Sequence, residues 1–242
     1  MNINISIEAR MTSSRLPGKV LKKINDIPTL ELMIKRIKNT KKVNQIIVAT
    51  TINKSDDSIV EWCEENNISY FRGSEENVYE RVLSAHKHYK TDIVIELTGD
   101  CPLLSCDIIE ECLDFYLLNE YDYVSNCLEM SYPIGTAVQV YSLNTLESIS
   151  NNREIDYQDK EHVTPYLYLS NKYKTYNIKA SKKHYMPELS ITLDTIEDFN
   201  LLEKICKNFD NIFFSLEDTI SFIKKNPQLL DINKSIKRKG LS

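Results

Sequence analysis

Glycine is scarce in this chain. It supplies only 5 of 242 residues, where an average soluble domain of this length holds about 17. The scarcity excludes collagen-like, Gly/Ser-linker and low-complexity organisation. It also reserves each glycine for a place where only glycine fits, at positive φ or where the backbone approaches a ligand closely. Other absences narrow the field further. The cysteines (Cys63, Cys101, Cys106, Cys112, Cys127, Cys206) form no CxxC pair, and His86, His88, His162 and His184 complete no zinc spacing. Scattered thiols of this kind read as reduced cysteines of a cytoplasmic protein. The opening MNINISIEAR places Glu8 and Arg10 where a signal peptide needs an apolar stretch. No apolar run approaches the length of a membrane span. The net charge of −5 removes a global basic field for nucleic acid and leaves room for a local anion site.

What is present is an alternation of strand-like and helix-like segments. Strands are expected at residues 3–7, 45–51, 68–71 and 92–97, with helices at 29–39, 56–66 (capped by Ser55), 78–89 and 107–118 between and after them. QIIVATT and DIVIEL are nearly uninterrupted apolar runs, as strands buried on both faces require. Short strands follow at 122–125 and 137–141, and helices at 143–150 and 162–170. An exposed antiparallel strand is expected at 173–179, then a strand at 189–193, helices at 196–208 and 216–225, and a frayed tail over 233–242 bearing Lys234, Lys237, Arg238 and Lys239. The pattern describes one domain over residues 1–242, with no internal repeat or linker. Its fold class is α/β: a three-layer α/β/α arrangement on a mostly parallel sheet. His86 and His88 fall on a polar helix face and are expected to be solvated.

In such sheets ligands lie beyond the carboxyl ends of the strands, and three loops there carry chemistry. The loop after the first strand, Ala9-Arg10-Met11-Thr12-Ser13-Ser14-Arg15-Leu16-Pro17-Gly18-Lys19, holds three cations, three hydroxyls and no acid. A polyphosphate needs that combination of N–H donors, hydroxyls and neutralising side chains. It is neither a Walker A sequence nor GxGxxG. The loop after the fourth strand, Thr98-Gly99-Asp100-Cys101-Pro102, fixes a carboxylate suited to Mg²⁺, which takes one or two carboxylates and fills its shell with phosphate oxygens and water. Asp194 ends the 189–193 strand in the same way. Taken singly, either aspartate reads equally as a helix cap; together, beside the basic loop, they read as a metal site.

The stretches ARMTSSRLPGKVL, VATT, FRGSEENVYERV, ELTGDCPLL, EHVTPYLY and LDTIEDF, in this order over roughly residues 1–205, resemble the cytidylyltransferases that make CMP-activated sugar acids. The branch they resemble most is that of the spore-coat-polysaccharide type, with CMP-Kdo and CMP-sialate synthetases as cousins. The resemblance implies a Rossmann-like nucleotidyltransferase sheet carrying a small antiparallel, dimer-forming excursion at about 126–185. It implies that Arg10, Arg15 and Lys19 bind the CTP triphosphate and act in catalysis with Asp100, while backbone at Ala9 to Met11 approaches the nucleotide. Asp100 and Asp194 would hold Mg²⁺. Arg72, Gly73, Ser74, Asn77 and Arg81 would lie over base and ribose, and Thr98 falls where the CMP-Kdo cousins place a glutamine that reads cytosine. Tyr132, Gly135, Glu161 and His162 would lie at the sugar-acid acceptor, with Ile134 replacing an acid usual in that segment. A homodimer is implied, and the tyrosine-rich stretch 157–185 suits a half-buried interface. Gly18, Gly73, Gly99 and Gly135 are then expected to line one cleft. Two other readings share the α/β build. One is a nucleotide-sugar-dependent glycosyltransferase, against which the single acid of Thr98-Gly99-Asp100 counts. The other is a non-catalytic nucleotide-binding subunit, which the Ile134 departure favours.

Overall fold

Alternation within the first strand sets up the sheet. Ile3, Ile5 and Ile7 enter one apolar core while Asn4, Ser6 and Glu8 face the other way. The structure, a computed structural model, describes residues 1–152 and 154–238. After β1 (Ile3–Glu8) a small hairpin, β2 (Lys23–Ile24) and β3 (Ile27–Pro28), leads into α1 (Thr29–Ile37). There follow β4 (Gln45–Thr51), α2 (Asp57–Glu65), β5 (Ser69–Gly73), α3 (Val78–His88), β6 (Ile93–Thr98) and α4 (Cys106–Leu118). The second half holds β7 (Tyr123–Ser125), β8 (Gln139–Ser142), α5 (Leu143–Asn152), α6 (Tyr157–His162), α7 (Pro165–Leu169), β9 (Thr175–Asn177), α8 (Ile196–Lys207) and α9 (Leu216–Lys225).

The main sheet runs β5-β4-β1-β6-β8-β7-β9. The pairs from β5 through β6 are parallel, with Ile5 beside Ile46 on one side and Ile95 on the other. Only β8 runs antiparallel to its neighbours β6 and β7. One apolar cluster joins the isoleucine face of β1 to α1, α2, α4, α8 and α9. A second lies under α3, α5 and α7, around Val94, Tyr123 and Tyr141. The three-layer α/β/α class expected from the sequence is the observed one. Chain order moves outward from β1 through β4 to β5 and then returns to the other side of β1 with β6. The crevice beyond the ends of β1 and β6 is thus the topological switch point, where open α/β sheets bind ligands.

Several expectations change. The strand near 173–179 is shortened to β9 and pairs parallel to β7. Residues 189–193 join no sheet beyond a single bridge between Ile134 and Ser190. That segment is instead pinned by Ile191 N to Ile134 O at 2.7 Å and Leu193 N to Asp100 O at 2.8 Å. The 162–170 helix divides at Val163 (φ 67°), because Pro165 cannot extend an incoming helix and opens α7 instead. Ser55 caps nothing; it lies in a 3-10 turn, Lys54–Asp56, and Asp56 precedes α2. His86 is fully buried with Nδ1 3.0 Å from Thr91 Oγ1, and burial pushes its imidazole down to about 3. Its helix face meets the polar side of β1, where Asn4 Nδ2 donates to the same Thr91 hydroxyl. His88 is exposed as expected. The tail is docked through Arg238, where Asp198 anchors it; Lys239 lies outside the described residues.

Arg36 ties the layers together from α1. It donates to the carbonyls of Leu104 (3.2 Å), Leu103 (2.9 Å), Phe214 (2.9 Å) and Ile212, and lies over the Phe214 ring. Burial lowers its guanidinium to about 10. Arg36→Ala leaves those carbonyls without their donor and is expected to cost about 3 kcal/mol in urea unfolding; a loss below about 1 kcal/mol would show that the carbonyls find other partners.

Candidate active site

Two loops meet at the switch point, each held by backbone bonds. The long loop leaves β1 with Ala9 N bonded to Ala49 O (3.2 Å) and closes with Gly18 N on Met11 O (2.9 Å). Asp56 Oδ1 accepts Met11 N at 2.7 Å, and Glu75 accepts from the Thr12 hydroxyl. Beyond β6, Gly99 N reaches Glu8 O at 2.9 Å. A Cβ on Gly99 would lie 2.8 Å from that same oxygen, so only glycine lets β6 leave the sheet this close to β1. Asp100 therefore starts at the edge of the crevice. Its carbonyl accepts Leu193 N at 2.8 Å, which draws the following Asp194 beside it.

Ala9, Arg10, Arg15, Lys19, Arg81, Thr98, Asp100, Glu161 and Asp194 line one cavity of about 230 Å³. Lys19 Nζ stands between the two aspartates, 3.3 Å from Asp100 Oδ2 and 2.9 Å from Asp194 Oδ1. Burial alone would lower its ammonium, but Asp100 and Asp194 overcome that and hold it above its usual range. Arg15 Nη2 pairs with Asp194 Oδ2 at 2.9 Å, and the Thr98 hydroxyl donates to Asp100 Oδ1 at 2.6 Å. Arg10 reaches Glu75 at 3.5 Å on the rim. The two carboxylates converge on a point now held by a cation, a donor set of hard oxygens that fits a divalent ion completed by phosphate oxygens. No cluster of three or more His, Cys, Asp or Glu side chains suited to a metal occurs among the described residues.

The other expected site residues fall elsewhere. Arg72 turns back on its own edge, donating to Thr51 O and Asn53 O (both 2.9 Å) and pairing with Asp57 at 2.8 Å. Asn77 caps α3 by accepting Glu80 N. Gly73 and Ser74 line a neighbouring depression with Asn53 and Glu75. Met11 does not line the main cavity, although its backbone fixes the loop. Tyr132 and Gly135 line a separate apolar pocket of about 100 Å³ with Ile134 and Met130, and the Tyr132 hydroxyl is spent on Glu111 at 2.9 Å. His162 ends α6, exposed and outside the cavity. The expectation that four glycines share one cleft fails: only Gly99 lines the main cavity. Gly135 answers a backbone demand instead, with φ +99° and a Cβ position 2.5 Å from Thr192 N.

Sequence reasoning missed Glu8, which is among the residues lining the cavity and whose Oε1 is buried and lacks a hydrogen-bond partner. Its signal was available in the alternation of β1, which turns every second side chain away from the isoleucine face. Asp56 and Glu75, which hold the long loop, carried no such signal, because their partners lie 45 and 63 residues away.

A switch-point cavity framed by a basic, hydroxyl-rich loop and two strand-end aspartates defines this α/β protein as a nucleotidyltransferase. The chain belongs to the cytidylyltransferase family, whose model matches residues 5–234. It is 38% identical over 235 residues to an uncharacterized protein of Methanocaldococcus jannaschii, covering 97% of this chain and 95% of that one. It is 29% identical to the spore coat polysaccharide biosynthesis protein SpsF of Bacillus subtilis, covering 91% and 93%. Among solved structures, a cytidylyltransferase from Leptospira borgpetersenii superposes with a TM-score of 0.90 at 32% identity, over 99% of this chain and all of that one. A CMP:2-keto-3-deoxy-manno-octonic acid synthetase complexed with CTP shares the fold, with a TM-score of 0.65 at 17% identity over 86% and 99% of the two chains. No described helix is long and apolar enough to cross a membrane.

Proposed function

We propose that this enzyme couples CTP to a sugar acid, giving a CMP-sugar and pyrophosphate with Mg²⁺ as cofactor, in the synthesis of a surface polysaccharide. The observation that carries the reading is the convergence of Asp100 and Asp194 on Lys19 inside the cavity that Arg15 and the loop hydroxyls also line. The named relatives, one of them a polysaccharide biosynthesis protein, support the same class. We place the enzyme in the cytoplasm as a homodimer. Tyr176 and Tyr185, 37% and 55% exposed, and the edge position of β9 support a dimer through the excursion.

In this mechanism the acceptor oxygen attacks the α-phosphorus in line and pyrophosphate leaves, so the protein contributes position and charge rather than covalent chemistry. Asp100 and Asp194 would hold Mg²⁺, which supplies Lewis-acid polarisation of phosphate oxygens. Arg15 and Lys19 neutralise charge growing on the leaving pyrophosphate. Arg10, beside them on the same loop, meets the phosphates near the transfer point. Thr98 fixes the Asp100 carboxylate through its hydroxyl.

A thermal-shift panel of CTP, UTP, GTP and ATP with Mg²⁺ tests the base, since a bound ligand raises stability by mass action. A shift with CTP alone, together with pyrophosphate release that requires a sugar acid, is the expected result. Equal shifts with all four nucleotides would remove the cytidine assignment. Arg15→Ala is expected to lower kcat/KM for pyrophosphate release about 100-fold, near 3 kcal/mol of transition-state stabilisation. An unchanged rate would take Arg15 out of the leaving-group role.

A further inference from the structure

Two capping boxes of the same design occur among the described residues, and they differ in burial and in charge pairing. At α9, Ser215 accepts Asp218 N while Asp218 accepts Ser215 N at 2.9 Å, exposed and with no cation paired to it among the described residues. At α8, Thr195 and Asp198 repeat the arrangement, but Asp198 is fully buried and clamped by Arg238. Arg238 Nη1 and Nη2 lie 2.7 and 2.6 Å from its two carboxylate oxygens, and Asn233 Nδ2 adds a third bond at 2.7 Å. The exposed α9 box shows that capping alone needs no guanidinium, whereas the buried Asp198 carboxylate needs a paired cation, which the tail supplies.

The contacts around the pair extend it to Asp194. Asp198 Oδ2 accepts the backbone N–H of Asp194 at 3.0 Å, so the clamped carboxylate also holds the turn that aims Asp194. On the other side of the same turn, Arg15 bridges the Asp194 carboxylate (2.9 Å) and the carbonyl of Lys237 (3.4 Å). The path therefore closes on itself, from Asp194 through Asp198, Arg238, Lys237 and Arg15 back to Asp194. A bidentate guanidinium–carboxylate pair fixes geometry as well as charge.

We infer that the C-terminal segment 233–238 is a strap against the turn that carries Asp194 and that Arg238 is a positioning residue for the cation-binding carboxylate Asp194, acting through Asp198. The inference rests on the proposed role of Asp194. Without the clamp the turn after Leu193 loses its fixed direction, and Asp194 no longer converges with Asp100 at one point. Lys237 loses its hold on Arg15 at the same time.

The test is direct Mn²⁺ binding, followed by electron paramagnetic resonance of the full chain with CTP, beside the Mg²⁺ concentration giving half-maximal pyrophosphate release. Arg238→Gln is expected to weaken Mn²⁺ binding and raise the half-saturating Mg²⁺ about tenfold, with the far-ultraviolet circular dichroism unchanged. Arg238→Lys keeps the charge but loses the fork, and should fall between the wild type and Arg238→Gln. Lys234→Ala, on the exposed pair with Asp231, should match the wild type. If Arg238→Gln lowers Tm or kcat while Mn²⁺ affinity and Mg²⁺ half-saturation stay at wild-type values, the strap is structural only and the inference is overturned. Should Arg238→Gln fail to fold, Arg238→Lys decides between the same two outcomes. A wild-type chain that binds no Mn²⁺ overturns the proposed site and this inference together, and wild-type behaviour sets that result apart from a failure confined to the variants.

Discussion

Asp100→Asn is expected to reduce pyrophosphate release by at least about 10³-fold at saturating Mg²⁺, a loss of roughly 4 kcal/mol in the transition state, while the far-ultraviolet circular dichroism keeps its native form. The substitution conserves shape and removes charge. Its Oδ1 can still accept the Thr98 hydroxyl, and its backbone carbonyl still receives Leu193 N, so the loop retains its two local anchors. What is lost is one of the two anionic arms facing Lys19. A divalent ion held by one carboxylate binds more weakly and is aimed less well, and the amide supplies no charge to compensate. Lys19 would remain paired to Asp194 at 2.9 Å, which leaves the cavity's shape nearly intact. Turnover at the wild-type rate with saturating Mg²⁺ would remove Asp100 from the metal role. Collapse of the circular dichroism would instead assign Asp100 a structural one.

Where the sequence was informative, local chemistry had decided the outcome. The runs QIIVATT and DIVIEL became the central strands β4 and β6 because strands covered on both faces must be apolar throughout. Asp194 was read as the end of a strand that does not form, and the bond from Leu193 N to Asp100 O is what brings it beside Asp100. Asp100 was legible because an Asp separated from a buried strand by a single residue has one place to go. Gly99 was legible for the same reason, its close approach being a property of the β6 exit. Residues whose positions depend on distant partners were not legible. Arg72 looked free to cover a ligand, yet the carbonyls of Thr51 and Asn53 and the Asp57 carboxylate claim its guanidinium. His86 looked solvated because its helix is polar on that side, and nothing local revealed that the sheet beneath is polar too. Arg238 belongs to a basic tail of the kind that usually frays, and only the buried Asp198, 40 positions earlier, docks it. The tyrosines divide in the same way. Tyr123 and Tyr141 are fully buried core while Tyr176 and Tyr185 stay at the surface, a distinction composition does not carry.

The polar face of β1 and β6 leads to the second large effect, the dependence of stability on pH. Glu96 is buried beneath α3, accepting the Tyr141 hydroxyl and Gln139 Nε2 (3.1 Å). Gln139 is committed in turn to the hydroxyls of Tyr123 and Thr164, each at 2.6 Å. Burial pushes the Glu96 carboxyl up to about 8, more than those two hydrogen bonds draw it down. Burial, then Glu96, also raises Glu8 well above the usual range against the opposing pull of Arg81. The folded protein therefore holds protons at neutral pH that the unfolded chain releases. Below pH 4.5 both states are protonated and the pair has no effect. Between pH 4.5 and about 8 stability falls, by up to about 1.4 kcal/mol per unit for each such group, and the Glu96 loss is complete above its folded value. The total for Glu96 is on the order of 4–5 kcal/mol. Urea unfolding of the wild type from pH 5 to pH 9 should show this decline, and Glu96→Gln, which carries no ionisable proton, should flatten most of it. A wild-type profile that rises or stays level from pH 5 to 8 would contradict the protonated state.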